Sequence, residues 1–168
     1  MAETLHIVNW QSVLTEHQAW TLRAFAALPD VELAIVTARD EIAARRAQGW
    51  TPPDLAGLDV TALPGHGWFA FGRNLILARP HAHHLFCGLW ADRRLFILML
   101  YAWWRGCKLA LLSEPYSDTT AGLLHDQHPA VGRLKIFARK ILWRAAGLLL
   151  GRRMSPLFAI SPKAAAQF

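Results

Sequence analysis

Between Pro29-Asp30 and Ala38 the chain carries a nearly continuous β-branched and apolar run, Val31 to Thr37. A strand with one face in water alternates apolar and polar residues, so a run of this kind needs cover on both faces. Shorter apolar runs recur at residues 5–8, 58–63, 84–87, 108–113 and 157–160. Helical patterns separate them, over residues 16–28, 38–48, 90–104 and 131–153, with a shorter helix expected at 72–78. Strands that alternate with helices pair in parallel through right-handed crossovers. The expected fold is therefore α/β, an open and mainly parallel sheet with helices on both faces. Its 168 residues make one domain, residues 1–168.

Several function classes drop out on composition. The N-terminus enters the first strand without a basic leader or a long apolar segment, so a cytoplasmic protein is expected. The longest uncharged apolar run, Leu95 to Trp104, is half of the roughly 20 residues that span a bilayer. Cys87 and Cys107 show neither disulfide-framework nor zinc-ligand spacing, and no metal is expected. The formal net charge of +6 suits an anionic partner. Basic and aromatic residues are not interleaved along the strands, so nucleic acid is not expected to be that partner. Eight Trp exceed what one core needs, which directs some of them to a cleft or a lipid surface.

Ligands of open parallel sheets gather at the carboxyl ends of the strands, which singles out the loops 9–15, 65–73, 88–92 and 114–122. The first loop contributes Asn9, Trp10, Gln11 and Ser12 as candidate substrate contacts. It has no Gly-x-Gly-x-x-Gly, so a nicotinamide enzyme is not expected. Thr15-Glu16-His17-Gln18 reads as a Thr-x-x-Gln capping box, with His17 in the first helical turn, either a base or acceptor or simply a surface histidine. His81, His83 and His84 cluster before the fourth strand, but neighbouring strand residues point to opposite faces, and a structural role is the simpler reading. Gly88-Leu89-Trp90 stands at a strand-to-helix turn, where glycine permits close approach and Trp90 either walls a sugar pocket or packs the helix. Ser113-Glu114-Pro115-Tyr116-Ser117-Asp118 is the most site-like loop, its alternative being a solvated turn; Tyr116 and Asp118 are candidate contacts. Over residues 131–153, Leu134, Phe137, Ile141, Ala145 and Leu148 form a stripe. Arg133, Lys140 and Arg144 flank it on one edge and Lys135, Arg139 and Arg153 on the other. Such a helix either lies on an anionic membrane or faces the core with a basic rim.

Taken in order, these segments resemble the N-terminal domain of a GT-B glycosyltransferase of the family 4, or group 1, type. The carriers are Leu5–Asn9, Thr15-Glu16-His17-Gln18, Leu85-Phe86-Cys87-Gly88-Leu89-Trp90, Ser113-Glu114-Pro115 and Phe158-Ala159-Ile160-Ser161-Pro162-Lys163-Ala164, which together span nearly all of the chain. The resemblance implies a Rossmann-like acceptor-binding domain, the N-terminal half of a GT-B fold. Sugar would pass from a nucleotide-sugar donor to an acceptor hydroxyl, in polysaccharide or glycolipid synthesis. The domain itself would hold no cofactor, because the donor binds a second, C-terminal domain that lies outside this sequence. The family's Ala-Ile-Ser strand and the helix after it precede the crossover to that domain, so the chain is expected to be a fragment, inactive alone. Partners would be a saccharide or glycolipid acceptor and the C-terminal domain, with the protein peripheral at the inner face of the membrane.

The sequence departs from the family pattern in places that bear on catalysis. The first loop lacks the usual glycine pair, Cys87 stands where a histidine is common, and Glu114-Pro115 replaces a frequent Pro-His-Gly. Glu114 and His17 are then the candidates to deprotonate the acceptor hydroxyl, provided either reaches hydrogen-bond distance of it. The alternative from another class is a non-enzymatic basic α/β module that binds a protein partner or an anionic membrane surface.

Overall fold

The computed structural model describes residues 4–39, 49, 51–88, 92–113 and 154–159, together with helical residues Phe137, Ala138, Ile141, Arg144, Ala145, Gly147 and Leu148. Six strands, β1 (Leu5–Gln11), β2 (Val31–Thr37), β3 (Val60–Ala62), β4 (His83–Cys87), β5 (Lys108–Ser113) and β6 (Met154–Ala159), form one sheet in the order β3-β2-β1-β4-β5-β6. Every described pairing is parallel. The helices are α1 (Glu16–Ala26), α2 (Trp68–Ala78) and α3 (Arg93–Trp104). The domain is an open α/β fold of Rossmann-like kind.

Strand periodicity sorts the core into two layers. Val8, Trp10, Val36, Phe86, Leu109 and Leu111 pack with Ile76 of α2 and Leu95, Leu98, Met99 and Ala102 of α3. On the other face Ile35 packs with Leu14 and Leu22 under α1. Because Ile35 and Val36 are successive strand residues, these layers lie on opposite sides of the sheet. The β2 run is covered twice, as its composition requires.

Element ends follow local chemistry. The side-chain carbonyl of Gln18 accepts the Thr15 backbone N–H at 3.0 Å, closing the expected capping box of α1. Helix α3 ends in a Schellman arrangement, with the Gly106 N–H on the Trp103 carbonyl and the Cys107 N–H on that of Ala102, both at 3.0 Å. Gly106 takes φ 74°, a value that suits glycine.

Four boundaries differ from the sequence reading by about three residues or more. Strand β1 continues through Asn9, Trp10 and Gln11, since pairing on both edges holds its polar residues in the ladder. Helix α2 begins at Trp68, with Gly72 inside it. Helix α3 begins at Arg93, behind an Asp92 cap. Strand β6 starts at Met154 and contains Pro156, which lacks a ladder N–H and coincides with the register shift opposite Leu109 and Leu111. The expected helices at 38–48 and after Ser161-Pro162 lie outside the described residues.

The glycine inside α2 has a packing reason. A Cβ built on Gly72 would fall 2.5 Å from Cδ1 of Leu98, a side chain with no exposed surface. Glycine costs a helix about 1 kcal/mol relative to alanine, and here it permits the close approach of α2 to α3. We expect Gly72→Val to lower unfolding stability by about 2 kcal/mol through overpacking, read from the urea midpoint. Adding Leu98→Ala should make the pair less destabilising than the sum of the single changes.

Candidate functional site

The strand order reverses between β1 and β4, the neighbours in the middle of the sheet. The chain leaves β1 toward α1 on one face and β4 toward α3 on the other, and open sheets of this type bind ligands in the crevice that forms at the carboxyl edge of such a switch point. Asn9, Gln11, Thr37 and Cys87 reach that edge on the α1 face, and all four are buried. The Asn9 side-chain nitrogen donates to Cys87 Sγ at 3.6 Å, while Asn9 Oδ1 has no hydrogen-bond partner among the described residues. Burial pushes the Cys87 thiol up to about 12, against a smaller opposing effect of Asn9, so it is a neutral thiol near pH 7 and not a nucleophile.

Above this polar floor, Thr15 caps α1, and its hydroxyl donates to Gln18 Oε1 at 2.9 Å and lies 3.2 Å from His17 Nδ1. His17 is exposed at the rim and Ser12 is half-buried. Gly88 takes φ 80°, and its N–H donates to the Leu112 carbonyl at 2.9 Å, which turns the chain out of β4 without a side chain in the crevice. The structure therefore groups Asn9, Gln11, Ser12, His17 and Gly88 around one edge. Trp90, Glu114, Tyr116, Asp118, Arg133 and Lys140 lie outside the described residues. Arg144 is exposed and helical.

Trp10 does not belong to this group, and its expected role as a substrate contact is corrected. With β1 extended to Gln11, alternation turns Trp10 to the α2–α3 face, where it has no exposed surface and stacks on Phe86 with centroids 5.4 Å apart. Its indole N–H donates to His84 Nδ1 at 3.2 Å. That bond leaves the imidazole proton on Nε2, which faces the Arg79 carbonyl at 3.3 Å. The three histidines thus separate, with His84 internal, His83 half-buried and His81 exposed.

A second polar cluster was not anticipated. Asp92 caps α3 by accepting the Arg94 backbone N–H at 2.8 Å, and its carboxylate also accepts from Arg94 Nε and Arg39 Nε, each at 3.1 Å. Arg94 donates onward to the Ala38 carbonyl, tying α3 to the end of β2. Burial alone would raise the Asp92 carboxyl, but the Arg94 and Arg39 hydrogen bonds outweigh it and hold the group below the usual carboxylate range. Half of the Arg39 side chain stays exposed, so the rim carries a cation. The signal was present in the sequence: an aspartate one turn ahead of an apolar helical run, Asp92 before Leu95, is an N-cap pattern.

With protein-family models, curated proteins and solved structures as the comparison, none matches this chain.

The burial of His84 is expected to make the fold pH-dependent. Burial is the main cause that lowers its pKa to about 4, from an ordinary value of 6.5. The unfolded chain therefore binds the proton first, and stability present above pH 6.5 is lost as pH falls toward 4, by at most about 3 kcal/mol. Urea unfolding of the wild type across that window should show the loss. In His84→Gln, whose carbonyl can still accept the Trp10 N–H, the slope should flatten.

Proposed function

We propose that this domain is the acceptor-side half of a glycosyltransferase. In this reading it presents a saccharide or glycolipid hydroxyl to a nucleotide-sugar donor held by a C-terminal domain, and it works peripherally at the cytoplasmic face of a membrane. The observation that carries the reading is the buried amide of Asn9, whose oxygen is unpaired among the described residues, beside Gln11 at the sheet's switch point. A polar floor of this kind suits hydroxyl-rich ligands, because each unpaired buried group loses about 1–3 kcal/mol until it is hydrogen-bonded. Gly88 lets a ligand approach the backbone, and the exposed rim supplies His17. The order of segments from Leu5–Asn9 to Phe158–Ala164 supports the same family reading.

Within this reading Glu114 is the base that takes the acceptor proton as the hydroxyl oxygen attacks the sugar's anomeric carbon, and the nucleotide diphosphate leaves with the bonding electron pair. His17 is the second candidate for that proton. Trp90, Tyr116 and Asp118 would line the acceptor side. The Cys87 thiol, protonated at neutral pH, packs against Asn9 and takes no part in the transfer.

A second reading, a non-enzymatic module on an anionic membrane, is favoured by one observation. Phe137, Ile141 and Leu148 of the basic helical segment are 62%, 52% and 76% exposed, so these three residues of the stripe are not spent on the core. The test is nucleotide release by the natural full-length protein with UDP- and GDP-linked sugars and lipid-linked saccharide acceptors. Glu114→Gln should lower kcat by about 10²-fold or more, and Asn9→Ala should raise the acceptor KM with less effect on kcat. Unchanged turnover in Glu114→Gln would remove its role. Salt-sensitive vesicle binding without any transfer would favour the module.

A further inference from the structure

The outward stripe of α3 is unlike that of an ordinary surface helix. Leu95, Leu98, Met99 and Ala102 turn inward, and the opposite stripe, spaced three and four apart, consists of Ile97, Leu100 and Trp104. All three are exposed, Trp104 to 67%. The patch continues onto α2: Tyr101 lies 5.9 Å from Trp104 and meets the exposed Phe69 edge-on at 5.7 Å. A helix already packed on its sheet normally shows polar side chains here, and a contiguous apolar patch marks an interaction surface.

We propose that this outer face of α2 and α3 is the surface by which the domain docks on an anionic phospholipid bilayer. Phe69, Ile97, Leu100 and Trp104 enter the headgroup boundary, while Arg93 and Arg105 at the two ends of α3 meet lipid phosphates. Charge complementarity selects this occupant. The Arg105 guanidinium sits 5.7 Å from the Trp104 ring, an aromatic and cationic pair of the kind that settles at a membrane interface. The net charge is +6, and no Asp or Glu follows Asp126. Phe137, Ile141, Arg144 and Leu148 of the basic helical segment are exposed as well. A second copy of the chain would instead bring like-charged arginines together. The proposal deepens the membrane part of the reading above and is independent of sugar transfer.

Co-sedimentation with sucrose-loaded vesicles tests it, comparing phosphatidylglycerol/phosphatidylcholine mixtures with phosphatidylcholine alone at low and high salt. The protein should pellet with the anionic vesicles and less so as salt rises. Leu100→Glu and Trp104→Ser should each lower partitioning about 10-fold or more, the loss expected when a large apolar side chain no longer enters the interface. Trp20→Ser, equally exposed but on α1 across the sheet, should bind as the wild type does. The replaced side chains are solvent-facing, and circular dichroism and Tm check that each variant is folded. Pelleting that Leu100→Glu and Trp104→Ser leave unchanged overturns the assignment of this face while the membrane reading stands. Absence of pelleting with anionic vesicles overturns both. A dimer that Leu100→Glu disperses, without vesicle binding, overturns the proposal by giving the face to a second copy.

Discussion

The seam between β1 and β4 holds the sheet together at the place where its order reverses. These strands are separated by more chain than any other adjacent pair in the described sheet, so their pairing carries its highest loop-closure cost. Trp10 and Phe86 stack across the seam, and the indole N–H ends on His84 in the same layer. The hydrogen bond matters because an indole N–H left unpaired in the core would be penalised. His84 in turn reaches the Arg79 carbonyl at the end of α2, so one buried relay aligns two strands and the helix that leads into the second.

That seam also determines what the opposite face can offer. With Trp10 and His84 committed to the α2–α3 layer, alternation sends Asn9 and Cys87 to the α1 layer, next to the carboxyl edge. The polar floor of the crevice and the apolar anchor beneath α3 are thus two outcomes of a single register. A slip by one residue would exchange them and bury the amide of Asn9 against α3.

The two cationic features have different physical character. Arg94 and Arg39 are tied to a buried carboxylate that caps α3 and fastens it to β2, so much of their charge is used within the fold. Arg93 and Arg105 stand on the solvent side of the same helix, flanking its aromatic stripe. One short helix therefore carries an internal electrostatic clamp at its start and an outward apolar surface along its length. The core requires only the inward half of that helix, and the outward half is free to serve recognition.

Fold class, strand directions and most element positions were legible in the sequence. The β2 run, the Thr15–Gln18 box and the glycine after α3 are local signals, and local hydrogen bonding and burial act on them directly. The site was legible only in part: Gly88 and His17 lie where the pattern put them, but Asn9, Trp10 and Gln11 read as a polar loop. Their polarity is a loop signal only for an edge or isolated segment, and a central strand with partners on both sides overrides it. The sequence by itself determined that a parallel α/β sheet would form, because hydrophobic periodicity is set residue by residue. The tertiary structure alone decided that Trp10 is core, that Asn9 is buried on the α1 face beside Cys87, and that Trp104 is left in solvent, because those outcomes depend on which strands and helices meet across long stretches of chain.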